Sequence, residues 1–267
     1  MVAWLRGVGM TAVSLATSSS LASRAEKLLE SVVCRRAETE AEREAIYRLR
    51  YEAYLRENAI RANLERRFTD AVDEQKNCWI IGLYIDGELA SSIRLSVTIP
   101  GCIDLPALHV FSDLLLPEIL AGKSIVDPTR FVADRAMSRL YPELPYITLR
   151  LPWMAMEYFQ ADWMLATVRA EHQAFYKRLW GNQVLCPPRP YPGLDKPISL
   201  MTCDFHAVRT QVLQRYPFFG STFAERERLF SRTLDKKGVP STSFAAREAT
   251  CSFASLDLLA LRYTLCL

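Results

Sequence analysis

The chain has 267 residues, half of them apolar, and a formal net charge of +3, which is enough to bury one large core and too near neutrality to argue for a nucleic-acid partner. Seven scattered cysteines with no C-x-x-C pair, and three histidines without ligand spacing, argue against a disulfide framework and a metal centre and for a reducing, cytoplasmic interior. No run of about eighteen apolar residues is present, so no membrane span is expected.

Met1 to Ala25 carries an early Arg6, a weak apolar stretch from Gly7 to Ala16 and small residues beyond it, with no clean cleavage site before Arg24. That is the outline of a poor secretory signal, and residues 1–31 are expected to form a loosely ordered leader, with Met10 as a rival start. Val32 to Arg36 reads as the first strand. Thr39 follows as an N-cap with Glu42 at the capping-box position. The helix it opens runs to about Asn58 and places Arg50 and Tyr54 one turn apart on one face. Ala59 to Asn77, which holds Glu65, Asp70 and Asp73, is charged and aperiodic and suits a surface or binding loop. Cys78 to Ile85 and Glu88 to Thr98 read as strands joined by Asp86-Gly87, the strongest hairpin signal in the chain. Arg94, between Ile93 and Leu95 in the return strand, calls for an acidic partner or an anionic ligand.

Leu108 to Leu120 reads as an apolar helical segment around Phe111. The stretch S-I-V-D-P-T-R-F-V-A-D, residues 124–134, is then a central strand whose apolar run is interrupted by Asp127, Pro128 and Arg130. Pro128 cannot donate to a sheet ladder and marks an edge or a bulge, where an acid and a base stand beside each other; the competing reading is a structural Asp127–Arg130 pair. Three prolines punctuate Tyr141 to Pro152, so Trp153 to Gln160 reads as the end of a helix with no defined start. Trp163 to Val168 is a strand, His172 to Trp180 a helix stopped by Gly181, Val184 opens a short strand, and Ile198 to Cys203 is the last. Strands followed by helices, with an early hairpin and late crossovers, give an α/β domain over residues 32–204, a mixed central sheet flanked by helices. Residues 205–234 read as a helical C-terminal extension and 235–267 as a loosely ordered tail.

Ala174-Phe-Tyr-Lys-Arg-Leu-Trp-Gly181, after the strand at Leu165, resembles the helix that follows the fifth strand in GNAT-type acyltransferases, and Tyr176 sits where that superfamily often has a tyrosine able to protonate the leaving thiolate. The superfamily's pyrophosphate signature is absent between Arg130 and Trp153, which removes the expected cradle for coenzyme A. The chain resembles, over roughly Arg35 to Asp204, the autoinducer (acyl-homoserine lactone) synthases and their relatives, the long-chain N-acyl amino acid synthases. Arg50 with Tyr54, Asp70 with Asp73, Arg94, Phe111 and Asp127-Pro-Thr-Arg130-Phe131 are similar to that group's motifs. Asp127 replaces a glutamate, no tryptophan follows Tyr54 at the autoinducer spacing, and Glu65 matches the first acid loosely. Leu49-Arg-Tyr-Glu-Ala-Tyr54, His172-Gln-Ala-Phe-Tyr176 and Arg189-Pro-Tyr-Pro-Gly193 look like the N-acyl amino acid synthases.

That resemblance implies a GNAT-like acyltransferase without a bound cofactor, moving a fatty acyl group from the phosphopantetheine of acyl carrier protein to the amine of an amino acid. A base must take the ammonium proton. Asp127 is the candidate, with Arg130 holding it or the amino acid carboxylate; a purely structural carboxylate is the alternative. Arg94 is either a carboxylate clamp or the salt-bridge partner of Asp70 or Asp73. Tyr176 is the candidate acid and His172, one turn away, its candidate partner; both equally suit a core position. Strand-edge amides are candidate oxyanion donors. Phe111, Leu114, Leu115, Trp153, Met154 and Tyr158 are available for an acyl slot, and the arginine clusters or Lys177 with Arg178 for an acidic carrier protein. Beyond that, the only membrane association expected is a peripheral contact for product release. The rivals are an autoinducer synthase using S-adenosylmethionine and a non-catalytic GNAT-like module binding lipid or a partner protein.

Overall fold

The computed structural model describes residues 21–191 and 196–232; the first two-thirds of the predicted leader, the Pro192-Gly193 end of one motif and the tail over 235–267 lie outside them. Seven strands form one sheet in the order β1-β2-β3-β4-β5-β7-β6: β1 Val32–Arg36, β2 Cys78–Ile85, β3 Glu88–Val97, β4 Ile125–Ala133, β5 Trp163–Val168, β6 Gln183–Val184 and β7 Ser199–Asp204. Every pairing is antiparallel except β4 with β5, so the sheet is mixed, as expected. The helices are α1 (21–29), α2 (Glu40–Arg56), α3 (Leu108–Leu120), α4 (Arg135–Leu140), α5 (Leu144–Phe159), α6 (Gln173–Trp180), α7 (Phe205–Arg215) and α8 (Phe223–Phe230).

Local chemistry sets the boundaries. Thr39 Oγ1 accepts from the Glu42 amide at 3.2 Å and Glu42 Oε2 from the Thr39 amide at 3.1 Å, which completes the capping box that opens α2. Asp86 and Gly87 both take positive φ, 52° and 84°, the conformation a two-residue hairpin turn demands. Gly181 ends α6 at φ 71°, a left-handed cap that glycine adopts without steric cost.

The alternation of β2 and β3 sorts side chains between two layers. Trp79, Ile81, Leu83, Ile93, Leu95 and Val97 join α5 in the main core, whereas Cys78 and Ile80 meet Ile46 and Tyr47 of α2. On the α2 side, further along the sheet, α3 covers Ile125, Leu165 and Leu200 through Phe111 and Leu115.

Three expectations need correction. The leader is not loosely ordered to residue 31: 21–29 are helical, and Ala25 and Leu28 are buried in the main core. The helix with no defined start begins at Leu144, despite the prolines at 145 and 152. Pro145 stands in the first turn of α5, where its missing N–H is an orphan anyway, and burial of Ile147, Leu149 and Leu151 outweighs the bond lost at Pro152. The helices after residue 204 are part of the same core and not an appendage. Phe205, Val212, Phe218, Phe219, Leu229 and Phe230 are all buried in it, Trp79 Nε1 donates to the Phe230 carbonyl at 3.2 Å, and Arg150 Nε donates to that of Phe218 at 2.8 Å.

Candidate active site

The parallel pair at the centre of the sheet is short. Ile125 faces Trp163 and Val126 faces Met164, and no pairing between β4 and β5 continues beyond them. The Ile125 amide and carbonyl both bond the Thr98 side of the sheet, so backbone alternation aims Val126 and Pro128 toward β5. Pro128 therefore lacks a donor only where the ladder has already opened, which lets a proline stand inside a central strand. The two strands diverge into a wedge, and the wedge holds a cavity of about 640 Å³. Its walls are β4 from Pro128 to Ala133, β5 from Leu165 to Val168, the end of α2 at Tyr54 and Glu57, and the α6 side with His172, Phe175, Tyr176 and Trp180.

The bulge predicted near Pro128 falls two residues later. Pairing shifts between Ser92–Val132 and Arg94–Thr129, leaving Arg130 and Phe131 opposite Ile93, and Arg130 takes φ 54°. A left-handed conformation costs an L-residue about 1–2 kcal/mol, and such strain persists where the surroundings fix it. Here Arg130 Nη2 donates to Asp70 Oδ2 at 2.6 Å, and its guanidinium lies 4.1 Å from the Phe68 ring centroid and 5.5 Å from that of Tyr54.

Behind Arg130 runs a chain of alternating charge. Asp70 also accepts from Arg94 Nη1 at 2.5 Å, Arg94 reaches Asp73 at 3.2 Å, and Arg50 Nη1 bonds both Asp73 oxygens at 2.9 Å. Thr129 Oγ1 accepts from Arg94 Nε at 2.9 Å, and Thr69 Oγ1 donates to Asp73 at 2.8 Å. Arg50, Asp73 and Arg94 are buried. Burial opposes ionisation of Asp70, but Arg94 and Arg130 outweigh it and hold the carboxyl at about 2. Burial likewise opposes ionisation of Asp73, and Arg50 and Arg94 bring its pKa below the usual value. Three guanidiniums against two carboxylates leave the chain one positive charge in excess, at an end that lines the cavity. The Ala59 to Asn77 loop is thus anchored by the Asp70 and Asp73 capping box and its arginines. Arg94 is the salt-bridge partner of both acids; Glu65 takes no part in the cluster.

Asp127 is fully buried and is not bonded to Arg130, correcting the expected acid–base couple: the bulge carries Arg130 to Asp70 instead. Its Oδ2 accepts from the Ala107 amide at 2.9 Å and its Oδ1 has no hydrogen-bond partner. Burial, only partly offset by that amide and by Arg94, pushes its pKa up to about 7. Asp127 does not line the cavity. Tyr176 does, and burial with the nearby Tyr54 raises its phenol to about 12. His172 is exposed at the cavity rim, 3.1 Å from Arg169 Nη2, and is neither interior nor bonded to Tyr176.

The residues expected to form an acyl slot are core instead. Trp153 stacks against Trp180 and Phe219 in the main core with Met154 beside it, Tyr158 packs on Phe159 and Phe230, and Phe111, Leu114 and Leu115 belong to the α3 layer. The apolar wall of the cavity is made by Pro145, Leu149, Val168, Phe175 and Trp180, which carry no signal in the sequence that separates them from other core positions. Phe68 and Thr129, also missed, hold Arg130 and Arg94. Among the described residues no group of three or more His, Cys, Asp or Glu side chains could hold a metal ion, and no helix is long and apolar enough to cross a membrane.

The structure of FeeM, an N-acyl amino acid synthase from uncultured soil microbes, is 18% identical with a TM-score of 0.58 over 69% of this chain and 96% of that one, and shares its fold. An acyl-CoA N-acyltransferase from Pseudomonas aeruginosa is 19% identical with a TM-score of 0.44 over 64% and 97% of the two chains. TofI, solved with an inhibitor and MTA, is 14% identical with a TM-score of 0.49 over 71% and 100%. No curated protein matches. The family described as N-acyl amino acid synthase FeeM matches residues 45–204, more than half of the chain. By that match the chain belongs to the N-acyl amino acid synthase family and is an acyltransferase.

Proposed function

We propose that the protein transfers a fatty acyl group from the phosphopantetheine thioester of acyl carrier protein to the amine of an amino acid. The observation that carries this reading is the wedge itself: a largely apolar cavity between β4 and β5 whose wall holds the Arg130 guanidinium, the end of a charge chain with one positive charge in excess. A guanidinium already fixed by a carboxylate and two rings retains donors for a second carboxylate, which suits the acid group of an amino acid, while the apolar wall suits the acyl chain.

The amine nitrogen attacks the thioester carbonyl carbon, and the developing oxyanion needs donors, for which the bulge residues Arg130 and Phe131, outside the ladder with β3, offer backbone amides. Collapse breaks the C–S bond; Tyr176, protonated throughout the neutral range, gives its proton to the leaving thiolate, and the proton shed by the newly acylated nitrogen restores the phenol. Asp127, poised near 7, is the base of suitable strength for the ammonium proton. It stands behind the cavity wall and not in it, so this role requires a relay between the amine and its carboxylate.

The donor is read as a carrier-protein thioester because the helix terminus that follows β4 is already occupied. Asp134 Oδ1 accepts from the Ala136 and Met137 amides at 2.8 and 2.9 Å. A pyrophosphate at that place would meet a carboxylate instead of open amides.

The test is mass spectrometry of lipid extracts from bacteria expressing the protein, beside cells expressing Arg130→Ala and Tyr176→Phe. New species that fragment into a free amino acid and a fatty acyl group, weakened in both variants, are expected. A homoserine lactone headgroup would move the assignment to autoinducer synthesis, and no new lipid from folded protein would move it to a binding module.

A further inference from the structure

Beneath the loop that leads into α3, three buried oxygens are left over from the fold. Asn77, Ser96 and Asp127 are fully buried, and Asn77 Oδ1, Ser96 Oγ and Asp127 Oδ1 have no hydrogen-bond partner among the described residues. Native proteins leave few such atoms, because each gives up its hydration without return.

The three belong to one place. Cys78 faces Ser96 across β2 and β3, and Ser96 faces Asp127 across β3 and β4. Directly opposed residues project to the same side of a sheet with Cβ atoms about 4.5–5.5 Å apart, so Ser96 and Asp127 are side-chain neighbours. Asn77 immediately precedes Cys78, and its carbonyl accepts from the Val97 amide at 2.9 Å, which sets it on the other flank of Ser96. The two outer members hold the same short loop, residues 104–107. Asn77 Nδ2 donates to the Asp104 carbonyl at 2.6 Å, and Asp127 Oδ2 accepts from the Ala107 amide at 2.9 Å. Tyr191 Oη donates to the Pro106 carbonyl at 3.1 Å and ties the loop to the segment after β6.

The leftover atoms define what fits among them. Asn77 Oδ1, whose amide nitrogen is committed to Asp104, and an ionised Asp127 Oδ1 only accept, whereas Ser96 Oγ can donate. A molecule that gives two protons and takes one satisfies all three, and water does so. We propose that a single internal water joins Asn77, Ser96 and Asp127 beneath the 104–107 loop, and that through it Ser96 is a positioning residue that favours the ionised form of Asp127. The proposal rests on the reading of Asp127 as the base. A hydrogen bond to a carboxylate lowers its pKa, so the water opposes the burial that drives Asp127 up. Arg94 on β3 acts in the same direction. The other titratable groups facing this place stay neutral in the working range: burial and Asp127 hold the Tyr191 phenol far above its usual value, and burial pushes the Cys78 thiol up to about 12. The Asp104 carboxylate is turned to Gln75 at 2.6 Å and His109 at 3.4 Å.

The experiment follows Ser96→Ala, alone and combined with Asp127→Asn, by two readings. Turnover of an acyl-pantetheine thioester with a subsaturating mixture of the common amino acids, counted as product by mass spectrometry, gives the pH–rate profile of the free enzyme. Its acid limb is expected to move up by about one pH unit in Ser96→Ala. Urea denaturation needs no substrate. Asp127 keeps its proton to higher pH in the variant, so the fall in stability that levels off in wild type continues for about one further pH unit. The gap between the two midpoints is therefore expected to be flat at lower pH and to widen over that unit. With Asp127→Asn in both proteins the gap is expected to be flat throughout. A flat gap with Asp127 present would overturn the proposal and leave Ser96 as packing alone. A gap that widens equally without Asp127 would also overturn it, by assigning the effect to another group. A gap that widens only with Asp127, beside an acid limb that does not move, would uphold the link between Ser96 and Asp127 and remove Asp127 as the base.

Discussion

Asp73→Asn is the sharpest test of how the candidate site is held. Asp73 is completely buried and is the centre of the charge chain, accepting from Arg50 twice at 2.9 Å, from Arg94 at 3.2 Å and from Thr69 Oγ1 at 2.8 Å. The asparagine keeps the shape and removes the charge, so the chain of three arginines rises from an excess of +1 to +2 with its two innermost guanidiniums out of water. Breaking a buried pair by removing one partner costs about 3–5 kcal/mol, a large share of the roughly 5–15 kcal/mol that keeps a domain folded. Urea denaturation at pH 7 is expected to show that loss as a lower midpoint with an unchanged slope, and raising the salt concentration is not expected to restore it, because the pair is shielded from bulk ions. Replacing both partners, Arg50→Met with Asp73→Leu, is expected to recover much of the stability. A single variant that loses less than about 1 kcal/mol, the size of an exposed ion pair, would refute the claim that this cluster is an internal scaffold. The same cluster sets an acid limit. Asp70, held at about 2, and Asp73, also lowered, ionise more readily in the folded protein. Their contribution is therefore complete above the ordinary carboxylate range near pH 4 and disappears as pH falls toward 2.

Other outcomes follow from the same geometry. Tyr176→Phe is expected to lower kcat by about 10²–10⁴-fold with little change in KM for the amino acid, read by steady-state kinetics on purified protein; an unchanged kcat would remove Tyr176 from the proton path. Asp127, raised to about 7 in the folded protein, binds its proton more tightly there than in the unfolded chain, so its contribution erodes as pH rises from about 4 to 7. Asp127→Asn retains an acceptor for the Ala107 amide, and its stability relative to wild type is expected to improve across that interval and then level off; a gap between the two that does not move with pH would show that Asp127 is charged in the fold. Thr39→Ala removes the side chain that caps α2 and is expected to cost about 1 kcal/mol in thermal or urea unfolding.

Much of the frame could be read from sequence because its signals are local. The capping box of Thr39 and Glu42, the Asp86-Gly87 turn and the Gly181 stop each involve residues within four positions of one another, and each falls where expected. The site was legible in composition and not in connection. Arg50, Asp70, Asp73, Arg94 and Arg130 do come together, but the tie between Arg130 and Asp70 depends on one residue in a left-handed conformation, and nothing in the side-chain order marks where a bulge will fall. Trp153 was misplaced for another reason: aromatic residues lining a cavity and aromatic residues filling a core obey the same spacing. The helical identity of residues 144–152 was hidden because prolines were weighed by number, when the position of Pro145 in the first turn makes it harmless.

The opening of the sheet between β4 and β5 also bears on how the molecule can come apart. On one side β4 is joined to β3 by six residue pairs and on the other β5 is joined to β7 by six, whereas β4 meets β5 through only two. Local opening follows the regions held by few backbone bonds. The seam that holds the cavity is therefore a place where the centre of the sheet can part while the antiparallel ladders on either side stay closed.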